Sequence, residues 1–174
     1  DKKAAPALEE AIRQYKNWDQ GWHYTGMHQF GMSLSHLDAL ITALGKTGEA
    51  SALPTLLNKA GQLTPEDCFS HFRAIAMATE SIGNRDAVPV LAKMLTTPGV
   101  RFHAIQSYKE AQSSVVPGDI DTSTRNRALK ELHLARALYL CGDENDIGKT
   151  ILEQYANGLQ GHYARYAYEV LNSK

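Results

Sequence analysis

One stretch of this chain repeats itself at a constant offset. Residues 36–57 align with residues 71–92 without a gap, 35 positions apart. His36 matches His71, Ala39 matches Ala74, Ala43 matches Ala78, and Gly48 matches Gly83. Ala52, Pro54 and Leu56 then match Ala87, Pro89 and Leu91. Apolar positions agree in type, as in Leu37 with Phe72, Leu40 with Ile75, and Leu53 with Val88. A short self-similar unit cannot bury its apolar face alone. Its copies must stack, and the core becomes a seam between layers.

Each unit reads as two helices. Leu37, Leu40, Ile41 and Leu44 share one helical face, and Phe72, Ile75, Ala76 and Thr79 repeat that stripe. Gly48 and Gly83 fall in the following turn, where a helix end often needs positive φ. Leu53, Leu56, Leu57 and Ala60 mark a second helix, as do Val88, Leu91 and Leu95 one unit later. Pro54 and Pro89 sit in its first turn, where an N–H has no intrahelical acceptor to lose. Asp86 is the expected cap of the later copy, and Thr64-Pro65-Glu66-Asp67 reads as another helix start.

A third unit is looser. Leu134, Ala137, Leu138 and Cys141 form a stripe that Gly142-Asp143 breaks, and Ile147, Ile151 and Leu152 follow. A last helix is expected over residues 160–171, and a leading amphipathic helix over residues 5–18. Residues 113–123, with Ser113-Ser114, Pro117-Gly118 and an Asp-rich tract, read as a surface loop. No two-residue alternation appears over a useful length. The expected fold is all-α, an α-α superhelix of about four helix pairs in one domain, residues 1–174. Residues 1–33 form a lead-in helix and an aromatic, Gly-rich segment. Residues 34–174 carry the repeats.

Composition narrows the function classes. The chain has 174 residues, 18 Lys+Arg against 19 Asp+Glu, and is 43% hydrophobic. Disorder needs lower hydrophobicity and higher net charge. A nucleic-acid-binding domain would be clearly basic, so no nucleic acid is expected. Balanced charge suits a surface for protein contacts, in cis or in trans. No apolar run approaches the roughly 18–20 residues of a membrane span, so no membrane is expected either. The chain opens on Asp1-Lys2-Lys3 without Met, which predicts a processed product or part of a longer protein. It is expected to be soluble, with the compartment open between cytoplasm and periplasm. Cys68 and Cys141 stand alone, without framework spacing, and read as reduced, packed thiols.

Seven histidines raise a metal question. Zinc on a helix favours His at i and i+4, and no pair has that spacing. His23 and His28 are five apart, while His36 and His71 are repeat-equivalent and mark a structural role. No metal site is expected. His133-Leu-Ala-Arg136 and His162-Tyr-Ala-Arg165 place the same tetrapeptide on two helices. Two readings stand: an anion site on a concave face, or a buried network bridging to acids such as Glu131, Asp143 or Glu169. The network is favoured, because an unpaired buried Arg is costly. Cys68 opens a helix with His71 three residues on, but Glu66 and Asp67 oppose a thiolate. There is no Gly-x-Ser-x-Gly and no phosphate loop. Residues 125–130 read as a basic, solvated first turn. No catalytic or cofactor-binding residue is expected. Trp18, Trp22, Tyr24 and Phe30 among Gly21, Gly26 and Gly31 form the expected contact segment, either capping the first repeat or docking a partner.

Two tracts carry a resemblance. Gly48-Glu-Ala-Ser-Ala-Leu-Pro-Thr-Leu56 and Gly83-Asn-Arg-Asp-Ala-Val-Pro-Val-Leu91 resemble the turn of HEAT-like repeats. More narrowly, Trp18-Asp-Gln-Gly-Trp22, Gly26-Met-His-Gln-Phe-Gly31, Ser70-His-Phe-Arg-Ala-Ile75, Leu134-Ala-Arg-Ala-Leu-Tyr139, Cys141-Gly-Asp143 and Gly161-His-Tyr-Ala-Arg165 resemble certain bacterial FAD-dependent oxidoreductases. In those proteins a flavin-binding domain precedes a helical-repeat C-terminal region. The fingerprint Gly-x-Gly-x-x-Gly is absent from this chain. The resemblance therefore implies FAD in a parent protein and none in this segment, which would be a non-catalytic interaction or scaffold region. The alternative is a stand-alone repeat enzyme or accessory of the bilin-lyase-like kind.

Overall fold

A computed structural model describes residues 1–19, 35–114 and 122–173. Nine α-helices and no strand occur among them. In order they are α1 (Ala5–Arg13), α2 (His36–Lys46), α3 (Leu53–Ala60), α4 (Phe69–Ile82), α5 (Val88–Thr96), α6 (Tyr108–Ser113), α7 (Ser123–Cys141), α8 (Ile147–Ala156) and α9 (Gly161–Leu171).

The two matched sequence units share their local structure. In each, a helix ends at a glycine held at φ +65°, Gly48 just past α2 and Gly83 as the C-cap of α4. A 3-10 turn follows, Ala50–Ala52 or Arg85–Ala87, and then α3 or α5 begins with Pro54 or Pro89 in its first turn. Caps set the starts. Ser35 and Asp38 form a capping box on α2, and Ser107 and Glu110 form one on α6.

Helices α2, α4 and α7 pack side by side, α2 on α4 and α4 on α7. The shorter helices lie over the next long one: α1 on α2, α3 on α4, and α5 on α7. Helix α8 packs between α7 and α9. The predicted stripes become the seams, with Leu37, Ile41, Leu44, Phe72, Ile75, Leu134 and Leu138 all buried. Small residues let helices close up. A Cβ on Gly45 would lie 2.6 Å from Ala78 Cβ, and one on Gly148 would lie 2.8 Å from the Ala135 carbonyl.

Several expectations are corrected at their edges. The leading helix stops at Arg13, so Trp18 lies beyond it. Asn84, not Asp86, caps the turn before α5, its side chain accepting from the Asp86 N–H at 2.8 Å. Residues 64–67 form a closed turn, in which the Thr64 N–H donates to Asp67 Oδ2 at 2.7 Å, and α4 begins only at Phe69. The expected loop of residues 113–123 is shorter, since Ser113 ends α6 and Ser123 begins α7. Its residues 115–121 lie outside the described residues.

Candidate functional site

Polar side chains gather where α2 and α4 begin. Both oxygens of Asp19 cap α2, accepting from His36 N at 2.8 Å and Leu37 N at 3.1 Å. Burial pushes the Asp19 carboxyl up, but those N–H groups and the Ser35 side chain outweigh it and hold the pKa below the usual range. The Tyr15 hydroxyl bonds to His36 Nδ1. Lys59 is buried, and its ammonium donates to the Tyr15 carbonyl and to Gln62 Oε1. Burial lowers its pKa.

Trp18 closes this corner from above. Its indole N–H donates to the Lys59 carbonyl at 3.2 Å, and its ring lies over His71 with centroids 4.5 Å apart. His71 in turn contacts Asp38 of the preceding unit, Nδ1 to Oδ1, at 2.7 Å. Of the four aromatics expected in partner contact, Trp18 is thus used in covering the first unit. Trp22, Tyr24 and Phe30 lie outside the described residues.

Arg136 sits at the crossing of α4, α7 and α9. Its guanidinium donates to both oxygens of Glu80, at 2.9 and 2.6 Å, and to the Tyr166 hydroxyl at 3.0 Å. It also lies over the Tyr166 ring, 5.3 Å from its centre, within the reach of about 6 Å of a cation–π contact. The acid is Glu80 rather than Glu131, Asp143 or Glu169. Asp143 instead accepts from the N–H groups of Glu144, Gly148 and Lys149 and so starts α8. His133 lies between the rings of Phe69 and Tyr166, at 5.6 and 5.8 Å. Burial, with the Arg73 and Arg136 charges, pushes its pKa down to about 4, so it is neutral at pH 7. His162 and Arg165 stand exposed on α9, outside the bonds of Arg136. The two tetrapeptides therefore do not form one common site.

Lys130 corrects the reading of residues 125–130 as a solvated turn. It is buried, donates to the Pro65 carbonyl at 2.7 Å, and lies 5.0 Å from the centre of the Phe72 ring. Burial lowers its pKa. Burial also pushes the half-buried Cys68 thiol up; the Lys130 charge opposes that, while Asp38 and Asp67 reinforce it. A thiol so placed stays protonated near pH 7 and is a poor nucleophile.

The loop between α5 and α7 is held by a buried acid, a contact that residue spacing does not disclose. Glu131, 1% exposed on α7, accepts from Phe102 N and His103 N at 2.9 Å each. It also accepts from the Tyr155 hydroxyl at 2.9 Å. Burial, then the Glu131 charge, drives the Tyr155 pKa upward, so the phenol stays a donor. Held this way, Phe102 adopts φ +74° and stands 79% exposed, with the Arg101 guanidinium 5.0 Å from its ring centre. The one hint in the sequence is that Glu131 shares a helical face with Leu134, Ala135 and Leu138, where an acid must find donors.

Among the described residues no three His, Cys, Asp or Glu side chains are grouped to hold a metal ion. No helix among them is long and apolar enough to cross a membrane. In comparison with known proteins, no protein family, no curated protein and no solved structure matches this chain.

Proposed function

We propose that this chain is a HEAT-like helical-repeat interaction domain that works by shape and has no catalysis of its own. In this reading it is the non-flavin region of a FAD-dependent oxidoreductase-like protein, packing against a protein partner in cis or in trans. The carrying observation is the pair of equivalent units. Two gap-free copies repeat the same helix, positive-φ glycine, 3-10 turn and proline-started helix. Stacked copies of this kind make a continuous surface whose use is contact. The interior chemistry supports the same reading. Arg136, His71, Lys59 and Lys130 are each spent on bonds between elements.

The test is site-specific photocrosslinking in cells. A benzophenone amino acid is placed, one position at a time, at exposed Tyr108, Leu159, Arg165 and Tyr168. One defined protein partner, crosslinked from neighbouring positions and reconstituted with purified components, is the expected result. No crosslink from any position overturns the interaction role. Titration of the purified chain with FAD is the companion test, and saturable quenching of flavin fluorescence overturns the non-flavin assignment. An upstream Gly-x-Gly-x-x-Gly in the encoding reading frame is the expected mark of the parent.

A further inference from the structure

Lys59 is a buried cation without a counter-ion. It is 4% exposed, and its ammonium donates to two neutral acceptors, the Tyr15 carbonyl and Gln62 Oε1. None of the ion pairs among the described residues includes it. The acids of this corner are engaged elsewhere. Glu9 Oε2 accepts from Arg13 Nη2 and Thr55 Oγ1, each at 2.8 Å, and both Asp19 oxygens cap α2. Burial alone shifts the Lys59 pKa, downward, with no neighbouring charge to oppose it. Residues 20–34 contain no Asp or Glu, so that stretch has no carboxylate to offer. An ammonium taken out of water is costly until an opposite charge meets it.

The fold does not demand this lysine. Continuing the 35-residue offset places Met94 at the same position of the next copy. The two copies also share a cleft there. Thr55, Asn58, Lys59 and Gln62 line one between α1 and α3. Val90, Lys93, Met94 and Thr97, the equivalent positions, line one between α3 and α5. In the later copy the wall is the buried Met94 side chain. In the earlier copy an ammonium takes its place, and the cleft is larger, about 450 Å³ against about 160 Å³. Sites for small molecules span about 300–1,000 Å³. Arg13 and Tyr15 stand on the α1 side, and no Asp or Glu is among the residues lining the cleft.

We propose that the cleft between α1 and α3 binds a small organic carboxylate, which meets the Lys59 ammonium with its charge and the side-chain amides of Asn58 and Gln62 with hydrogen bonds. The unmet buried charge selects an anion, and the volume selects a small molecule. One ammonium flanked by neutral amides matches a single negative charge. A phosphate dianion would call for a second free cation, and Arg13 is already paired with Glu9 and Glu10. This site is independent of the interaction reading above, and neither stands or falls with the other.

The test is saturation-transfer difference NMR on the full chain with acetate, butyrate and benzoate, each beside its neutral amide. Saturable signal from at least one acid at millimolar concentration, and none from the amides, is expected. Lys59→Met installs the residue of the later copy and should weaken that binding about tenfold or more. Gln62→Glu changes an exposed side chain that already meets Lys59, at 3.3 Å, and supplies the missing carboxylate from within. It should weaken acid binding to a similar extent and raise the melting temperature. If Lys59→Met fails to fold, Gln62→Glu decides alone. The proposal is overturned by no saturation with any acid, by equal signals from the amides, by binding unchanged in the variants, or by a melting temperature that Gln62→Glu does not raise. Inorganic phosphate, and the peptide Gly-Gly-Glu-Gly-Gly with blocked ends, serve as competitors. Displacement of the acid by either at a lower concentration than the acid itself overturns the assignment to a small carboxylate.

Discussion

Asp38 Oδ1 lies 2.7 Å from His71 Nδ1, with the two side chains 0% and 4% exposed. The carboxylate belongs to the first repeat copy and the imidazole to the second, so the bond joins adjacent units across the α2–α4 seam. Trp18 covers it. Asp38→Ala leaves the His71 nitrogen buried without its partner. A loss of about 2–4 kcal/mol is expected in urea unfolding. The double variant Asp38→Leu with His71→Leu is expected to recover part of that loss, because no polar group is then stranded.

Arg136 is expected to hold α4, α7 and α9 together and not to bind an external anion. Arg136→Met keeps the aliphatic packing and strands Glu80. With both partners partly exposed, the expected loss is about 1–3 kcal/mol, seen as a lower urea midpoint. Arg136→Met combined with Glu80→Leu should cost less than the two singles added. Strict additivity would remove the coupling.

His133 makes stability pH-dependent. Its folded pKa, about 4, lies below the ordinary 6.5, so the unfolded chain takes the proton first as pH falls. The contribution of the neutral ring is complete above about pH 6.5 and is lost progressively between about pH 6.5 and 4. The loss is at most about 3 kcal/mol. His133→Phe fits between Phe69 and Tyr166 and cannot titrate. The difference in melting temperature between parent and variant should therefore change sharply across that window. A constant difference would refute it.

Gly45→Ala is expected to destabilise despite the better helix propensity of alanine. The new Cβ would overlap Ala78, and forcing the helices apart costs about 1–3 kcal/mol, more than the gain of about 1 kcal/mol. Thermal unfolding of the single variant decides the sign. Ala78→Gly in the same background should restore part of the loss.

Phe102→Gly is expected to stabilise the chain by up to about 1 kcal/mol, since it relieves a positive φ and gives up an exposed ring. Glu131→Ala should do the reverse. It frees the Phe102 and His103 N–H groups and the buried Tyr155 hydroxyl, with a loss of about 2 kcal/mol or more. Opposite signs in denaturant unfolding would show that the anchor, not the ring, carries the stability.

The local code of this chain is legible in its residues. Positive φ at Gly48 and Gly83 follows from turn chemistry at one repeat offset, and burial of Leu37, Ile41 and Leu44 follows from helical spacing. Caps were harder to place, because Asn84 and Asp86 are both competent and only backbone geometry chooses. Partners across layers were not legible at all. Glu80 and Arg136 are 56 residues apart, and three other acids were equally eligible by type. Lys130 looked solvated within a basic run, yet the angular phase of α7 turns it under Phe72.

The sequence by itself determined that the chain is helical, that two of its units are copies, and that their glycines and prolines punctuate them. Those properties depend on neighbours within one or two turns, and periodicity records them. The tertiary structure decided which acid meets Arg136, that Trp18 is spent on His71, and that Glu131 reaches back to hold Phe102 outward. Each of these depends on how whole helices are rotated and stacked, and residue spacing carries no measure of that rotation.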